Sequence, residues 1–338
     1  MSRLFVHQAG PGLSVQDGGR AGYLAFGLSR GGAADRLAMA EGAALLNQDS
    51  RLAALEMAGA GGTFEVSRDT RIALTGAPMQ AGIDGAALAW NASHLLPAGA
   101  RLRLGGATHG VYGYLHIGGG IDVARRLGAR SAHLAAGLGR RIESGDDLPL
   151  GPDADMGGIG LKLPDDPRFD GGEVRMLAGF QTGFFAAAEI ARFEVTSFGR
   201  DARGNRMGVR MVSDGPGFAS AAGLSVLSEV IVPGDIQITG DGTPFVLLAE
   251  CQTTGGYPRI GSVLPCDLPR VAQAAPGARI RFRFVAPDEG LRIERAAAKA
   301  QGRLRASATP LRRDPHDIRD LLSYQLVGGV TAGNEEKG

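Results

Sequence analysis

The stretch from Cys251 to Pro258 places several polar side chains beside a pair of glycines. It follows a strand-like apolar run over residues 245–249. Its side chains offer one amide, two hydroxyls and one phenol, from Gln252, Thr253, Thr254 and Tyr257. Gly255 and Gly256 allow a ligand to approach the backbone closely. These groups suit a small polar ligand bound by uncharged hydrogen bonds, although a plain polar hairpin explains the same composition equally well.

Two nucleophiles are conceivable from local patterns. Residues 27–31, Gly-Leu-Ser-Arg-Gly, fit the G-x-S-x-G pattern of a nucleophile elbow, with Ser29 at its centre. The chain lacks the alternating strands and helices of an α/β-hydrolase, and with 54 glycines this pattern also arises by accident. Cys251 is the second candidate, but no histidine lies near it in the sequence. The sequence therefore assigns neither residue a catalytic role.

The residues that precede the first predicted helix have the composition of an anion site. Arg30, Gly31 and Gly32 come just before an alanine-rich stretch with helical periodicity over residues 34–46. Backbone N–H groups and the helix dipole favour an anion at such a position, and Arg30 adds a positive charge. The alternative is an ordinary glycine turn with Asp35 in the first helical turn.

Residue type and spacing exclude several kinds of chemistry. The six histidines and two cysteines show no HExxH or Cys/His spacing, so we expect no metal site. Only three lysines occur, and none belongs to the Gly-Lys-Ser/Thr of a phosphate-binding loop or to the Met-Lys of a biotin carrier. The formal net charge of +1 gives no basic excess for nucleic acid. No apolar run reaches the roughly 18 residues of a membrane span.

The elements that must carry these residues are predicted to be mostly β. Glycine accounts for 54 of 338 residues, well above its usual share of about 7%. Apolar runs are short and bounded by glycine or proline, and several alternate with period two, as at residues 101–104 and 279–282. Helical periodicity is limited to residues 34–46 and to a second candidate at 288–305.

An internal repeat divides the chain. The first copy consists of Glu56, apolar runs at 62–66 and 72–74, and a Gly-Ala-Arg-x-Arg segment at 99–103. The second copy has the matching features in the same order, at Glu229, 234–238, 245–247 and 277–281. We expect two mostly β domains of similar plan, although such patterns also align by chance. The predicted parts are a first domain at 1–155, a Gly/Pro/Asp-rich linker at 156–172, a second domain at 173–290, and a helical C-terminal segment and tail at 291–338.

Motifs spread along the chain resemble those of one family. Residues 15–23 (VQDGGRAGY) resemble its opening VQDxGRxGY, and residues 31–35 (GGAAD) resemble SGAMD, with Gly31 in the serine position. Arg206-Met207-Gly208 matches its DRMG motif, with Asn205 in place of Asp. Further matches in order are LTGA at 74–77, GGID at 119–122, a GSRS-like run at 128–131, a PGxIQ-like run at 233–237 and QTTGGYP at 252–258. The chain thus resembles the biotin-dependent carboxyltransferase family, KipA-like group, which includes the C subunits of 5-oxoprolinases and proteins long labelled allophanate hydrolase subunit 2.

The resemblance implies a fold and an assembly. The implied fold is two cyclophilin-like β-barrels with a few short helices, in agreement with the repeat. The implied partners are a KipI-like protein, the B component of 5-oxoprolinases, and a LamB/YcsF-like protein, their A component. With these partners, the family's 5-oxoprolinases open 5-oxoproline to glutamate with hydrolysis of ATP. In urea carboxylases, a homologous region transfers a carboxyl group from biotin to urea.

The resemblance also suggests roles for single residues. The side chains of the 252–257 loop, with Gly255 and Gly256, are expected to bind a lactam or ureido group. Arg206 and Arg20 are expected to hold a carboxylate or phosphate, because a guanidinium pairs with such groups in bidentate fashion. Gln16 and Asp17 are expected to orient these arginines or to act as acid and base. The expected catalytic residues are Asp17, Arg206 and Gln252. We expect Arg206→Ala to weaken binding while folding survives.

Three functions compete at this point. The first is a component of an ATP-dependent 5-oxoprolinase, inactive alone because the sequence has neither a standard phosphate loop nor a convincing nucleophile–base pair. The second is a carboxyltransferase acting on carboxybiotin, with the biotin on a separate carrier. The third is a non-catalytic regulatory protein that antagonises a KipI-like kinase inhibitor. In each case we expect a cytoplasmic protein that binds a small polar or anionic molecule, and neither nucleic acid nor a membrane.

Overall fold

The computed structural model describes residues 2–155, 157–223 and 225–312. Within these residues the fold is mostly β with five α-helices, which confirms the predicted class. The helices are α1 (Arg36–Leu46), α2 (Ala187–Val195), α3 (Leu268–Gln273), α4 (Pro287–Gln301) and α5 (Leu304–Ser307). The strands up to residue 162 are β1 (Arg3–Ala9), β2 (Ser14–Gln16), β3 (Ala54–Ala58), β4 (Ala60–Val66), β5 (Thr70–Gly76), β6 (Met79–Ile83), β7 (Ala86–Ala87), β8 (Ala92–Leu96), β9 (Leu102–Ala107), β10 (Tyr112–Ile117), β11 (Asp147–Pro149) and β12 (Leu161–Lys162). The later strands are β13 (Gly171–Leu177), β14 (Phe198–Arg200), β15 (Gly208–Val212), β16 (Glu229–Val230), β17 (Asp235–Ile238), β18 (Pro244–Leu247), β19 (Thr254–Gly255), β20 (Arg259–Val263), β21 (Arg279–Phe284) and β22 (Thr309–Pro310).

The first half of the chain builds two sheets. One has the order β11-β1-β4-β9-β6-β7 and the other β2-β3-β10-β5-β8-β12-β22. β3 and β4 follow each other in the chain and carry it from one sheet to the other. The period-two pattern of β9 holds, since Leu102 and Leu104 are buried while Arg103 is exposed. Every residue of β5 is buried, because α1 packs against this strand.

The second half closes into a seven-stranded barrel. Its strand order is β13-β20-β17-β18-β15-β14-β21, and a parallel pairing of β13 with β21 completes the circle. The phenylalanines of its core have ring centroids 5.1 to 5.9 Å apart in neighbouring pairs. They are Phe193, Phe198, Phe218 and Phe282.

The strand pairing follows the repeat only in part. β4 pairs directly with β9 in the first half. The segments aligned with them, β17 and β21, are not neighbours in the barrel order, where β17 lies between β18 and β20. Glu56 is buried in β3, whereas the aligned Glu229 is exposed in β16. The predicted superposition of the two halves therefore stays a prediction.

The predicted linker and C-terminal segment both carry structure. Within residues 156–172, β12 pairs with β8 and β22, and a 3-10 turn spans Pro167–Asp170. The second helical candidate becomes α4 and α5, after which β22 returns to a sheet of the first half. The rest of the predicted tail, residues 313–338, lies outside the described residues. Among the helices described, none has the length and apolar character needed to cross a membrane.

A buried ion-pair cluster fastens the two halves together. Arg168, which follows β12, donates to Asp35 Oδ2 at 2.8 Å and to both carboxylate oxygens of Glu41 at 2.7 and 2.8 Å. Gln273 of α3 donates to the same Asp35 oxygen at 2.9 Å, and its Oε1 accepts from the backbone N–H of Tyr112 at 2.8 Å. Residues from both halves also share one apolar core. The start of α1 is therefore held rigidly at the junction.

Candidate functional site

The segment before α1 runs between the two halves. Gly31 donates its N–H to Ala249 O at 3.0 Å, and Ala33 donates to Asp17 O at 2.9 Å. Gly31 and Gly32 have φ angles of +61° and +82°. A Cβ at Gly32 would lie 2.6 Å from Gly19 N, so only glycine fits here. At the predicted anion site of Arg30, Gly31 and Gly32, the N–H of Gly31 is therefore not available to an anion, because it already donates to Ala249 O. The two glycines serve, at least in part, to pack the segment between the two halves.

Asp17 organises the neighbouring loop through backbone contacts. Its two carboxylate oxygens accept from Gly19 N at 2.9 Å and from Arg130 N at 2.6 Å. Gln16 donates through Nε2 to Ser14 Oγ at 3.1 Å. Its Oε1 has no hydrogen-bond partner in the described structure. In this geometry both side chains shape the loop, whereas their expected roles as acid or base stay predictions.

Arg20 is buried at this junction. Its side chain is 2% exposed, and it donates through Nη2 to Ser131 O and through Nε to Arg126 O. Its Nη1 has no partner among the described residues. Burial lowers the pKa of Arg20, and nearby Asp17 and Glu250 oppose this effect. The guanidinium thus retains one donor group for a further contact.

Arg206 joins the two halves through two carboxylates. It donates through Nε to Glu250 Oε1 at 2.6 Å, through Nη1 to Glu56 Oε1, and through Nη2 to Gly32 O. Glu56 also accepts from the Tyr114 hydroxyl at 2.7 Å. Burial disfavours the charged guanidinium, but Glu56 and Glu250 outweigh it and raise the pKa of Arg206. Arg206 is therefore occupied by protein carboxylates, which changes the expectation that Arg206→Ala leaves folding intact.

Ser29 and His133 form a buried pair beside Arg20. Ser29 Oγ lies 2.8 Å from His133 Nε2, and the two residues are 3% and 4% exposed. The pKa of His133 is lowered, first by burial and then by repulsion from Arg20 and Arg206, while Glu250 opposes the shift. His133 Nδ1 is without a hydrogen-bond partner in the described part of the chain. We call the set of Arg20, Ser29, His133, Arg206 and Glu250 the junction compartment; all of its members but Arg206, which is half-buried, are buried.

The 252–257 loop lies on the surface next to this compartment. Thr254 and Gly255 form β19, which pairs with β16. A Cβ built at Gly27 would lie 4.0 Å from Thr253 Oγ1, so this loop meets the segment that carries Ser29. Gln252 and Tyr257 are exposed. Within the described residues no hydrogen bond joins these two side chains to Arg20 or Arg206, whose partners are other groups.

Three further expectations from the sequence concern the Cys251 thiol, the glycine pair Gly255 and Gly256, and metal binding. Cys251 is 3% exposed, and burial raises its pKa to about 12, so its thiol is protonated at neutral pH. Gly256 has Val226 O close to its Cβ position, at 3.1 Å, which makes the glycine pair part of the loop packing. Among the described residues no group of three or more His, Cys, Asp or Glu side chains has the arrangement of a metal site.

A cleft of about 640 Å³ separates α1 from α3 and α4 at the junction. Arg30 and Arg36 line one part of it, and leucine, proline and alanine side chains line much of the rest. The pKa of Arg36 is lowered to about 10, because protein atoms crowd its guanidinium and Arg30 repels it. The carboxylates of Glu41, Asp165, Asp166 and Glu294 line the same cleft, so the charge of its lining does not by itself select an anion.

Sequence reasoning missed three of the residues that build the site. Glu56 entered the analysis only as a marker of the repeat, and Glu250 and His133 were not singled out. The available signal was a carboxylate within an apolar run, as in Ala-Leu-Glu-Met-Ala at 54–58. His133 lies two residues beyond Ser131 of the GSRS-like motif. None of these signals names a partner, because the partners lie far away in the sequence.

The fold and its junction define a class of protein. The family model of the carboxyltransferase domain, subdomain A and B, matches residues 26–284. The chain belongs to this family. The match begins just before Ser29 and ends at the last strand of the barrel, so it includes every residue of the junction compartment except Arg20.

The chain is similar over most of its length to several individual proteins. The chain is 34% identical over 296 residues to the 5-oxoprolinase C subunit of Escherichia coli, covering 86% of this chain and 93% of that protein. It is 26% identical over 295 residues to urea amidolyase of Saccharomyces cerevisiae, covering 81% of this chain but 16% of that protein. The crystal structure of TTHA0988 superposes with a TM-score of 0.76 at 32% identity, covering 84% of this chain. The chain spans about half of that solved chain, 55% of its length.

Proposed function

We propose that this chain is the C subunit of an ATP-dependent 5-oxoprolinase, which converts 5-oxoproline to glutamate. The observation that carries the proposal is its match to nearly the whole length of the Escherichia coli 5-oxoprolinase C subunit, 93% at 34% identity. The match to urea amidolyase covers a small fraction of a much longer protein. In the proposed complex the chain works with a KipI-like protein and a LamB/YcsF-like protein in the cytoplasm, where ATP is supplied.

The junction compartment suits this substrate. 5-Oxoproline is a small anion with a carboxylate and a cyclic amide, and Arg20 retains a donor at Nη1 for such a carboxylate. The exposed side chains of the 252–257 loop offer neutral donors and acceptors for the amide. We assign ATP to the assembled complex, because the sequence has no standard phosphate loop.

Exposed apolar side chains surround the 252–257 loop and mark the proposed docking surface for a partner protein. Phe180 and Leu227 are 102% and 87% exposed, and Phe26 on the facing segment is 82% exposed. Hydrogen bonds join the segments that carry them: Gln181 donates to Glu229 at 2.8 Å, and Val226 N donates to Gly256 O at 2.8 Å. We call this set the apolar rim: Phe26, Phe180, Phe184, Leu227, Val230 and Tyr257. Clustered exposed apolar groups of this kind mark interaction sites.

The occupant of the apolar rim is proposed to be the KipI-like protein. In TTHA0988 the matched region is 55% of the solved chain, so that protein joins a region like this one to a large further segment. The double variant Phe180→Ser with Leu227→Ser should abolish co-purification of the KipI-like protein while leaving the melting temperature within a few degrees. The matched control is Val195→Ser, an exposed apolar residue on α2, which should not affect assembly. Unchanged assembly of the double variant would refute this surface.

Co-expression with the candidate KipI-like and LamB/YcsF-like proteins tests the proposed reaction. The purified complex should form glutamate from 5-oxoproline only when ATP is present. The chain alone, and the complex without ATP, serve as controls and should be inactive. A complex that assembles but forms no glutamate would overturn the proposed reaction without affecting the docking surface. Turnover by the chain alone would overturn the requirement for partners.

Carboxyl transfer is the second candidate, favoured by the carboxyltransferase family match and by the urea amidolyase relative. Lys162 of β12 places its Nζ 3.5 Å from Asp165 Oδ1. This lysine is not in a biotin-carrier sequence, so carboxybiotin would arrive on a separate protein. Avidin distinguishes the two candidates. It should block a biotin-dependent reaction and leave the ATP-dependent formation of glutamate unchanged.

A further inference from the structure

Two buried polar atoms of the junction compartment have no hydrogen-bond partner among the described residues. They are Arg20 Nη1 and His133 Nδ1. A buried donor or acceptor left unpaired is destabilising, so each such atom calls for an explanation. Both side chains border Gly31, where a Cβ would lie 3.7 Å from Arg20 Nη1 and 3.1 Å from His133 Cδ2. A side chain at position 31 would therefore crowd the His133 ring and lie beside Arg20 Nη1.

The other nitrogen of His133 is held in place. Nε2 lies 2.8 Å from Ser29 Oγ, and in the tautomer protonated at Nε2 the ring donates to that hydroxyl and carries its lone pair on Nδ1. The charged groups that act on this ring are Glu250 on one side and Arg20 and Arg206 on the other. Because burial and the two arginines lower the pKa of His133, the imidazole is neutral at physiological pH. A neutral, fixed imidazole with one unengaged nitrogen has the properties of a general base.

We infer that His133 is the general base of this site, acting through Nδ1, that Ser29 is its positioning residue, and that Arg20 holds the anionic group of the substrate. The inference rests on the proposed function for the identity of the substrate. Nδ1 takes a proton from water while the water oxygen bonds to the amide carbon. The C–N bond then breaks, and the proton passes from Nδ1 to the departing nitrogen. Opening the ring consumes one water, the hydrolysis of ATP to ADP and phosphate by the assembled complex consumes a second, and His133 returns to its neutral form.

Ser29 is assigned a positioning role because its hydroxyl acts on substrate only through the imidazole. Its loss should lower kcat by about fivefold, the equivalent of one hydrogen bond, and should shift the acidic limb of the pH profile. A nucleophilic Ser29 predicts a different result. Quenched reactions would then contain an acyl group on Ser29, detectable by intact mass, and that finding would overturn the inference.

The decisive variants are tested in the reconstituted complex. His133→Ala should lower kcat about 10²- to 10⁴-fold with a small change in KM, and added imidazole should restore part of the rate. Arg20→Gln should instead act mainly on KM. The matched control is His94→Asn, a partly buried histidine remote from the compartment in the strand order, which should keep the wild-type rate. Retention of kcat within threefold by His133→Ala would overturn the inference.

A second measurement covers the case in which the complex does not turn over 5-oxoproline. The His133 ring resonance of the full chain, assigned by its absence in His133→Asn, is followed during titration with 5-oxoproline and with inorganic phosphate. The resonance should shift with at least one of these anions, and the shift should be lost in Arg20→Gln. No shift with either anion would contradict the inference, whereas a shift without turnover would count against the proposed reaction alone.

Discussion

Two buried histidines of this chain make the same hydrogen bond in different surroundings. His116 Nε2 lies 2.8 Å from Thr75 Oγ1, and His133 Nε2 lies 2.8 Å from Ser29 Oγ. Burial lowers the pKa of both, that of His116 to about 3. Both side chains are nearly inaccessible to solvent, at 3% and 4% exposed. A hydroxyl-bonded, buried, neutral histidine is therefore not enough to define a functional site.

The difference lies in what faces each ring. His116 packs under α1, where a Cβ at Gly42 would come within 2.2 Å of its Cδ2. His133 faces Arg20, Arg206 and Glu250, and its Nδ1 has no partner in the described structure. The first ring fills a gap between a helix and a sheet. The second contributes a reactive atom to a charged compartment between the two halves, which is why only the second is assigned to catalysis.

Among the variants that separate the surroundings of the two histidines, Arg206→Ala should have the largest effect on the free energy of unfolding. Glu56 and Glu250 are 1% and 4% exposed, so the variant leaves two carboxylates buried without their cation. The free energy of unfolding should fall by about 3–5 kcal/mol, and the surroundings of His133 should be lost while those of His116 persist. Chemical denaturation measures the first effect. The control is Arg203→Ala, whose exposed ion pair with Asp201 should contribute less than about 1 kcal/mol.

Retention of wild-type stability by Arg206→Ala would contradict this account of the junction. It would instead favour the interpretation from the sequence, in which Arg206 serves a ligand and folding does not depend on it.

Gly42→Ala tests the His116 side of the comparison. The added methyl group meets the ring of His116, a β10 residue whose side chain packs against α1, so overpacking should cost about 1–3 kcal/mol. Gly183→Ala is the matched control, because no atom of the described residues lies within 4 Å of its Cβ position. Activity per folded molecule of the reconstituted complex should not change in either variant. A loss of activity in folded Gly42→Ala would show that the His116 region is coupled to the site.

The decrease of folding stability at acidic pH should depend in part on the protonation of His116. Its pKa is about 3 in the folded state against an ordinary value of 6.5, so the unfolded chain binds the extra proton between these values. Stability should therefore be complete above about pH 6.5 and decrease as the pH falls towards 3, by at most ~1.4 kcal/mol per pH unit from this group. His116→Asn should flatten this part of the profile, as measured by melting temperature against pH. An unchanged slope would exclude His116 as its source.

Local patterns predicted the elements well. The helix expected over residues 34–46 is α1 at Arg36–Leu46, and the candidate at 288–305 became α4 and α5. The Arg-x-Arg strands show one exposed and one buried side, because side-chain alternation is a property of the strand itself. The sequence left residues 30–32 open between an anion site and a glycine turn, and residues 252–257 open between a ligand loop and a polar hairpin. In the structure Gly31 and Gly32 have positive φ angles, and Thr254 and Gly255 form β19, which pairs with β16.

The contacts that build the site were beyond local patterns. Arg206 and Glu56 are 150 residues apart, and Ser29 and His133 are 104 apart. A single sequence does not pair such residues, because either partner alone has the composition of an ordinary polar position. Even Arg30 and Gly18, only twelve residues apart, are joined by a 2.9 Å hydrogen bond that depends on the tertiary fold. Local sequence patterns therefore fail to predict contacts at quite short separations.

The most direct test compares His133→Asn with His116→Asn in the reconstituted complex. For each variant, the melting temperature and the rate of glutamate formation per folded molecule are measured side by side with the wild type. The account predicts that His133→Asn loses most of its activity with little change in melting temperature, whereas His116→Asn loses stability but keeps its activity. Equal behaviour of the two variants, whether both lose activity or both lose only stability, would contradict the assignment of His133 to catalysis.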